Sequence, residues 1–306
     1  MVYTVVLVTF NRLDCLKKTL MCYEKQSLMP KNIVIIDNAS TDGTKDYLQQ
    51  WKDNSKIENI FIIECETNTG GAGGFSRGVK EALKTECDFI FLADDDAYAD
   101  ENMISELDAT YNSRSDKKEI SALCTSVINY GEIDTNHRRV VHKKIFTIDR
   151  VKIQADTYKN GAFFLDEFSF VGVAVKKEII QKIGLPEADY FIYFDDTEYS
   201  HRVRKTGKVL CVPQSIMNHN VAGGHDDNLI TWRAYYSLRN SLDILRRYYP
   251  RRFFVYKVCT TYFRRCSEVS RVLKKRKKEE TLLLKTAIKD AISGKIGKHE
   301  IYRPGR

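Results

Sequence analysis

Three consecutive aspartates, Asp94 to Asp96, follow the apolar run Phe89 to Ala93. If that run is a strand, its side chains alternate between two faces, so Asp94 and Asp96 share one side and Asp95 lies on the other. Two carboxylates held this close repel each other unless a cation lies between them. Oxygen ligands suit Mg²⁺ or Mn²⁺, and these ions in turn hold nucleotide phosphates. The pattern predicts a metal site, although an isolated Asp triplet would more often be a solvated turn.

A second acidic group, Asp195, Asp196 and Glu198, follows an aromatic run that begins at Phe191. Carboxylates beside aromatic rings are candidates for a raised pKa and for general base chemistry. The same acids would suit the amino terminus of a helix, where the dipole favours negative charge. The two interpretations are compatible. His219 lies in a polar stretch further along the chain. A histidine there is usually only solvated, and His219 is a candidate metal ligand because the chain also carries these acidic groups.

A glycine-rich segment, NTGGAGGF from Asn68 to Phe75, is expected to form a loop leading into a helix that begins near Ser76. Glycine lets the backbone approach a ligand closely, and N–H groups at a helix start can face an anion. A dinucleotide fingerprint starting at Gly71 lacks its third glycine and follows the third strand instead of the first. No P-loop motif occurs. A dehydrogenase and a P-loop nucleotidase are therefore disfavoured.

Apolar strands and amphipathic helices alternate in the first part of the chain. Strands are predicted at 2–9, 32–36, 61–64 and 88–92, and helices at 13–24 and 78–84. This alternation predicts an α/β fold, a doubly wound and mostly parallel sheet. Ligands bind such sheets beyond the carboxyl ends of the strands. The polar residues at those ends are Thr9, Asn11, Arg12, Asp37, Asn38, Asn68 and the three aspartates.

The later part of the chain gives weaker signals. Helices are predicted at 176–183 and 197–205, and a strand at 208–212. From Trp232 onward the sequence indicates mainly helix, broken at Pro250. The sequence therefore predicts a largely helical carboxyl-terminal region.

The composition bounds the class of protein. The chain has 306 residues, 43% hydrophobic and 29% charged, with a formal net charge of +8. This suits one large folded domain and excludes a disordered or fibrous protein. No long apolar run and no signal peptide occurs, which predicts a cytoplasmic location. The eight cysteines show no zinc spacing and are expected to be reduced packing residues.

The positive charge is concentrated at the carboxyl end. Residues 246–306 hold 19 Lys and Arg against 5 Asp and Glu, a balance of +14, whereas the preceding residues balance at −6. A basic amphipathic helix here could lie on an anionic bilayer or pack its apolar face on the protein. Its apolar arc would be Phe254, Val258, Tyr262, Val269, Val272 and Leu273, and its basic arc Lys257, Arg264, Arg271, Lys274 and Lys275. The run from Lys274 to Lys278 is basic throughout.

Six motifs, in order, resemble the family 2 inverting glycosyltransferases of the GT-A fold, from Val2 to about Asn240. They are VVLVTFNR at 5–12, IIDNASTDGT at 35–44, NTGGAGGF at 68–75, DDD at 94–96, FDDTE at 194–198 and the later His219. The glycine-rich segment, the triple Asp, the acidic motif and YYSLRN at 235–240 are most similar to the galactofuranosyltransferase-like and rhamnosyltransferase-like branches.

The resemblance implies a role for each candidate residue. The donor-binding residues would be Thr9, Phe10, Arg12, Asp37, Asn68, Gly70, Gly71, Asp94 and Asp95, with Asp37 accepting a hydrogen bond from uracil or thymine. The ligands of Mn²⁺ or Mg²⁺ would be Asp94, Asp96 and His219. The catalytic residues would be Asp196 as general base, with Asp195 and Glu198 orienting the acceptor. Arg202 and Arg239 would support the diphosphate or the acidic cluster, or form structural ion pairs.

The resemblance also implies a reaction and a setting. A hexose, galactofuranose from UDP-galactofuranose or alternatively rhamnose from dTDP-rhamnose, would move to a glycan hydroxyl in cell-surface polysaccharide synthesis, of capsule or cell wall. The acceptor is expected to be polyprenyl-linked or a polysaccharide. The catalytic domain would be 1–240, and the basic extension 241–306 would bind the inner face of the cell membrane as a peripheral anchor.

Two other classes stay open. A nucleic-acid-binding protein would use the basic tail but leaves the aspartates at the strand ends unexplained, so no nucleic acid partner is expected. A non-catalytic protein that binds sugar nucleotides is the other alternative. The sequence is compatible with an oligomer.

Overall fold

The computed structural model describes residues 1–220, 232–268 and 274–304, and for 264–268 and 274–277 the backbone alone. The chain divides into two compact units. The first comprises 1–140, 151–188 and 196–222, and the second 141–150, 189–195 and 223–306. The domain boundary predicted at residue 240 stays a prediction.

The first part of the chain alternates strands and helices, as the apolar pattern predicts. The elements are β1 (Tyr3–Thr9), α1 (Leu13–Glu24), β2 (Asn32–Asp37), α2 (Thr44–Asn54), β3 (Asn59–Glu64), α3 (Gly70–Ala82) and β4 (Phe89–Asp94). Each strand ends within two residues of a candidate functional side chain except β3, which ends at Glu64.

The remaining elements are further strands with helices among them, followed by a helical end. They are β5 (Tyr98–Ala99), α4 (Met103–Ser113), β6 (Ile120–Asn129), β7 (Glu132–Ile133), β8 (Arg138–Lys143), β9 (Ile148–Lys152), β10 (Phe163–Leu165), β11 (Glu167–Phe168), β12 (Val173–Lys176), α5 (Lys177–Ile183), α6 (Asp195–Val203), β13 (Lys208–Asn218), α7 (Trp232–Tyr248), α8 (Arg251–Glu268) and α9 (Lys274–Ser293). The predicted break at Pro250 is confirmed, since α7 ends before it and α8 begins after it.

The central sheet has the strand order β10-β13-β6-β12-β4-β1-β2-β3. β1 pairs in parallel with β2 and β4, and β2 with β3. β12 lies antiparallel between β4 and β6. A separate three-stranded sheet has the order β11-β8-β9. The predicted α/β fold with a mostly parallel central sheet is confirmed.

The continuous apolar strands are explained by burial on both faces. Every residue of β1 is buried. Val5 and Leu7 belong to one core layer, and Val6 and Val8 to the other. Since a fully buried aliphatic side chain contributes about 1.5–3 kcal/mol, a strand between two layers gains at every position and needs no polar alternation.

The glycine-rich segment is helical, so the expectation of a loop before Ser76 is wrong. α3 already begins at Gly70. A Cβ atom on Gly74 would lie 2.4 Å from Val8 Cγ1, and one on Gly78 would lie 2.3 Å from Val6 Cγ1. Glycine is needed here because the helix backbone packs directly on β1. In the sequence alone, a glycine-rich segment that packs closely looks the same as a flexible loop.

The amphipathic arcs predicted for the tail fall partly outside the described residues. Val269, Arg271, Val272 and Leu273 are among the residues not described, and so are the side chains of Arg264 and of 274–277 in the basic run. Across the described residues, no helix combines the length and the apolar character needed to cross a bilayer.

Replacing Gly74 tests the packing of α3 on β1. Gly74→Ala should lower the free energy of unfolding by about 1–3 kcal/mol, because overpacking a core forces its neighbours to shift. Gly71→Ala, in the same helix, is the matched control, since a Cβ there meets nothing within 4 Å. That variant should be neutral or more stable by about 0.5–1 kcal/mol. Urea unfolding that gives the two variants equal stability would contradict the close approach.

Candidate functional site

Two aspartates and a histidine meet beyond the carboxyl end of β4. One ligand atom from each of Asp94, Asp96 and His219 lies within 4.8 Å of the others. The topology explains the meeting: β5 follows the acidic turn and pairs with the end of β13, Met217 opposite Ala99. His219 directly follows β13. The sheet therefore brings together the three residues that the resemblance implies as metal ligands.

Asp95 points the other way, as the alternation of side chains predicts. Its Oδ2 accepts a hydrogen bond of 2.7 Å from Thr9 Oγ1, and its Oδ1 lies 3.4 Å from Arg12 Nη1. Its backbone carbonyl accepts a bond of 2.6 Å from Thr19 Oγ1. Only 3% of Asp95 is exposed. These contacts show Asp95 and Thr9 holding the turn at the ends of β4 and β1.

The acidic cluster has more negative than positive charge. Burial, followed by the charges of Asp96 and Asp95, raises the pKa of Asp94 to about 7. Burial also raises the pKa of Asp95 to about 6, against the hydrogen bond from Thr9. A cation close to these carboxylates would favour their ionised forms. The cluster therefore lacks a positive charge that a metal ion would supply.

Arg12 and His219 compensate Asp96. Arg12 Nη1 lies 2.5 Å from one oxygen of Asp96, and His219 Nε2 lies 3.3 Å from the other. Burial opposes ionisation of Asp96, but the hydrogen bond from His219 and the charge of Arg12 bring its pKa below the usual value. The pKa of His219 is raised by Asp96 against the effect of burial.

The donor set fits a divalent cation. His219 Nδ1 is buried and has no hydrogen-bond partner among the residues that the structure describes. Two carboxylates and an imidazole nitrogen form a mixed oxygen and nitrogen set that Mn²⁺ accepts, whereas Mg²⁺ prefers oxygen alone. The identity of the metal stays a prediction.

A histidine and an aspartate not singled out from the sequence support His219. The ring of His137 lies edge-on to that of His219, with centroids 5.6 Å apart. His137 Nε2 is 3.3 Å from Asp134 Oδ2, and its Nδ1 is 2.7 Å from Ser169 Oγ. Both ring nitrogens of His137 are therefore engaged, which fixes the plane against which His219 packs. Only the Asp-x-x-His spacing could have indicated this pair.

Amide side chains connect the ends of β2 and β3 with the start of α3. Asn38 Nδ2 donates to Asn68 Oδ1 at 3.1 Å and to the carbonyl of Gly70 at 3.0 Å. Asn68 Oδ1 also accepts the N–H of Gly70 at 2.7 Å. Asp37 is buried and accepts the N–H of Ser40 at 2.9 Å. These contacts hold the edge of the sheet where donor binding is predicted.

Three predicted donor residues keep free surface. Phe10 is 40% exposed, and Arg12 is exposed although it contacts the acids. Gly71 leaves open space where a side chain would stand. An aromatic ring, a cation and an open helix start suit a base, a phosphate and a close backbone approach, respectively.

The second acidic group begins α6. Asp195 is buried, with 8% exposed, whereas Asp196 keeps partial exposure. Asp196 Oδ1 accepts the N–H of Thr197 at 2.6 Å, so the acid also caps the first turn. Asp196 Oδ2 accepts no hydrogen bond from any described residue. One oxygen of this carboxylate is thus fixed and the other is available.

Glu198 is held by an arginine. It is fully buried, and Arg202 Nε and Nη2 donate to its two oxygens at 2.9 and 2.7 Å. Arg202 also donates to the carbonyls of Ile183 and Leu185. The ion pair, one of the two roles expected for Arg202, engages both oxygens of Glu198, and the role of Glu198 in orienting the acceptor stays a prediction.

The aromatic run before the acids adopts an unusual backbone. Phe191, Tyr193 and Phe194 have φ angles of 64°, 66° and 68°. For residues other than glycine this left-handed conformation costs on the order of 1 kcal/mol or more each. Asn240 holds it, because its Nδ2 donates to the carbonyls of Tyr190, Ile192 and Tyr193 at 3.1, 3.0 and 2.8 Å.

Arg239 binds the same segment rather than an acid or a phosphate. Its guanidinium donates to the carbonyls of Asp189 and Tyr190 at 3.2 Å and to that of Gly297 at 2.6 Å. Only 1% of Arg239 is exposed. From the sequence, Arg239 is expected to support the diphosphate or the acidic cluster, or to form a structural ion pair. The structure shows it instead holding backbone carbonyls.

The profile of the family described as Glycosyl transferase family 2 matches residues 4–168, more than half of the chain. The chain belongs to glycosyl transferase family 2. The family predicted from the six motifs is confirmed. The matched range contains the acidic cluster and every predicted donor-binding residue.

A relative within this family is Galactofuranosyltransferase GlfT1 of Mycobacterium tuberculosis (strain ATCC 25618 / H37Rv). The two sequences are 27% identical over 205 residues, 66% of this chain and 64% of the relative. This chain therefore matches slightly less than two thirds of that relative's length.

Two solved structures show the fold. GalNAc-T7 with UDP, GalNAc and Mn²⁺ aligns over 96% of this chain and 56% of that chain, with TM-score 0.65 and 17% identity. TarS 1–349 of S. aureus in complex with UDP-GlcNAc aligns over 96% and 81%, with TM-score 0.59 and 15% identity. The predicted GT-A fold is confirmed.

Replacing Asp94 separates its electrostatic cost from metal binding. An acid whose folded pKa is raised, here to about 7, destabilises the folded state at higher pH. At pH 8 in chelator, Asp94→Asn should therefore be more stable than the parent by about 1 kcal/mol or more. Mn²⁺ should raise the Tm of the parent and not of the variant. Asp46→Asn, at an exposed position of α2, is the control, and Mn²⁺ should raise its Tm as it raises that of the parent. If Mn²⁺ raised the Tm of the Asp94 variant as much as that of the parent, Asp94 would not be a metal ligand.

Replacing Asn240 tests the hold on the aromatic run. Asn240→Asp keeps the shape but exchanges the donor to three carbonyls for an acceptor, and should cost about 2–4 kcal/mol of stability. Ser241→Ala is the neighbouring control, because among the described residues its hydroxyl bonds only the carbonyl of Leu238 in its own helix. Urea unfolding should leave the control unchanged, and an equally stable Asp variant would show that the carbonyls do not need the amide.

Proposed function

We propose that the protein is a metal-dependent inverting glycosyltransferase. The observation that carries the proposal is the meeting of Asp94, Asp96 and His219 beyond β4 in a family 2 chain. The donor is proposed to be UDP-galactofuranose, in line with the galactofuranosyltransferase relative, and dTDP-rhamnose is the alternative. The product would be a glycan of the cell surface.

The donor would lie across the ends of β1 to β4. Asp37 and Phe10 would contact the base, and Asn68, Gly70 and Gly71 would face the nucleotide-sugar. Asp94, Asp96 and His219 would hold Mn²⁺ or Mg²⁺, which neutralises charge on a diphosphate leaving group. Arg12, placed by its contacts with Asp95 and Asp96, is near enough to these acids to share that task.

Asp196 would act as general base through Oδ2. This oxygen would take the proton of an acceptor hydroxyl as the hydroxyl oxygen forms a bond to the anomeric carbon. The bond from that carbon to the diphosphate breaks, and its electron pair leaves with the nucleoside diphosphate. Attack opposite the leaving group inverts the anomeric centre. The bond from Thr197 to Oδ1 keeps the carboxylate in one orientation while this happens.

The acceptor is proposed to be a polyprenyl-linked or polysaccharide glycan. The +14 balance of residues 246–306 supports peripheral binding to the anionic inner face of the cell membrane, where such a lipid would lie. The protein would then act at the membrane surface on the cytoplasmic side.

Nucleotide release tests the proposed reaction. The full chain with Mn²⁺ would be incubated with UDP-galactofuranose, UDP-galactose, UDP-glucose and dTDP-rhamnose, with and without an excess of chelator. We expect release of nucleoside diphosphate from one donor and its loss in chelator. Release from none of them would overturn the proposed donors, and full activity in chelator would overturn the metal.

Replacing Asp196 tests the general base. Asp196→Asn should lower turnover by about 10²–10⁴, the usual contribution of general base catalysis, while calorimetry shows unchanged binding of the nucleoside diphosphate. Asp189→Asn, an exposed acid just before the aromatic run, should keep full turnover. Lost nucleotide binding in the Asp196 variant would remove this residue from the base role.

A further inference from the structure

The second unit carries an apolar surface that the proposed chemistry does not use. Its first part is the tip of the hairpin between β8 and β9. There Ile145 is 74% exposed and Phe146 is 49% exposed. Single exposed apolar side chains are ordinary, but contiguous ones mark a contact surface. Whether Ile145 and Phe146 belong to a contiguous surface depends on the neighbouring helix α8.

One face of α8 continues the apolar surface. Val255, Tyr256, Tyr262 and Phe263 are 46%, 42%, 45% and 70% exposed. At about 100° per residue, these side chains and that of Cys259 fall within an arc of about 120°. Phe253, outside this arc, is buried. The helix therefore packs one face and presents a second apolar face to solvent.

The hairpin tip is fixed to this face. Arg252 Nε donates to the carbonyl of Ile145 at 2.9 Å. The ring of Phe146 stacks on that of Tyr256, with centroids 5.9 Å apart and an angle of 21°. The tip and α8 are thus one continuous surface, with Ile145 at its edge and held in place.

A groove between α8 and α9 extends the surface. Its volume is about 590 Å³, and its lining is almost entirely apolar, with Val258, Tyr262, Ile288 and Ile292 among its residues. Lys285 and Lys289 also line it. An apolar groove beside two ammonium groups suits a ligand with a hydrocarbon part and an anionic part.

Cations accompany the apolar residues along the surface. Residues 251–263 contain no acidic residue, and at about 100° per residue Arg252 lies within the apolar arc and Arg251 lies next to it. In the hairpin, Asp149 is paired with Lys144 at 2.5 Å. Lys143 adds a further exposed cation. Among the described side chains, this surface is both apolar and positively charged.

We propose that the hairpin tip and the exposed face of α8 form a docking surface for an anionic lipid bilayer. Ile145, Phe146 and the aromatic rings of α8 enter the interface, and the lysines and arginines meet lipid phosphates. A second copy of the chain on the same face would bring like charges together. A nucleic acid would match the charges but leave Ile145 without an apolar partner. The bilayer matches both properties.

Vesicle flotation of the full chain tests the surface without donor or acceptor. The chain should bind vesicles of phosphatidylcholine with phosphatidylglycerol, less at high salt, and should bind pure phosphatidylcholine weakly. Ile145→Glu with Phe146→Glu should reduce the partition coefficient about tenfold or more, since charge replaces inserted apolar area. Arg251→Gln with Lys143→Gln should reduce binding to the anionic vesicles. The matched controls are Met21→Glu, and Lys18→Gln with Lys25→Gln, at exposed positions of α1 and of the residue that follows it, and they should bind as the parent does.

Each other outcome overturns the proposal. No binding by the parent, or undiminished binding by the hairpin variant, would exclude this surface. Displacement from vesicles by duplex DNA at equal charge would indicate a nucleic acid partner. A dimer of the parent that the hairpin variant converts to a monomer would indicate an interface between copies.

The proposal rests on the membrane-linked acceptor proposed above and can fail separately from it. Nucleotide release from the donor panel reports on the sugar-transfer site and needs no membrane. Variants that lose vesicle binding but keep nucleotide release locate the bilayer contact on this surface. Unchanged melting temperatures of the variants would show that the exposed positions do not support the fold.

Discussion

Burial and mutual repulsion of the three carboxylates at the end of β4 form the constraint on which the site depends. Burial, followed by the charges of Asp96 and Asp95, raises the pKa of Asp94 to about 7, so its ionised form needs positive charge close by. The sheet supplies part of it. Val8 lies opposite Asp94 in the parallel register, which sets Thr9 beside Asp95 and brings Arg12 to Asp96. β5 pairs with β13 and brings His219. The strand order therefore builds the site, and a metal ion bound there would complete its charge balance.

Close packing of α3 extends the same edge. Because Gly74 and Gly78 let the helix backbone lie against β1, the start of the helix reaches the ends of β2 and β3. Asn38 and Asn68 then close this corner through hydrogen bonds to Gly70. The glycines of α3 therefore have two effects. Gly74 and Gly78 allow the close packing, and Gly71 leaves open space where a phosphate of the proposed donor would approach the first N–H groups.

Much of the fold and of the candidate metal site could be predicted, because both follow from local signals. Strands buried on two faces are continuous apolar runs, and parallel topology puts their polar ends at one edge. The start of α3, the contact of His137 with His219 and the carbonyl contacts of Arg239 could not be predicted. Each depends on residues distant in sequence. Glycine, histidine and arginine also have several common structural roles, and the sequence alone does not show which of them applies. The ion pair of Glu198 with Arg202 is different, since a spacing of four residues on one helix is a local signal, and an ion pair is one of the two roles expected for Arg202.

The second unit is more than a basic appendage, because it holds the segment that leads to the proposed base. The backbone at Phe191, Tyr193 and Phe194 is strained, and Asn240 and Arg239 of α7 bind its carbonyls. The carboxyl-terminal segment takes part, since the N–H of Gly297 donates to the carbonyl of Asp189 at 2.6 Å and its own carbonyl accepts from Arg239. A cut at residue 240 would pass through α7 and remove Gly297 from this network. Strain of this kind persists only where surrounding contacts outweigh it. The unit that carries the apolar, cationic surface therefore also holds its own backbone up to Asp195, and a chain shortened at residue 240 would lose both α8 and the contacts of Gly297.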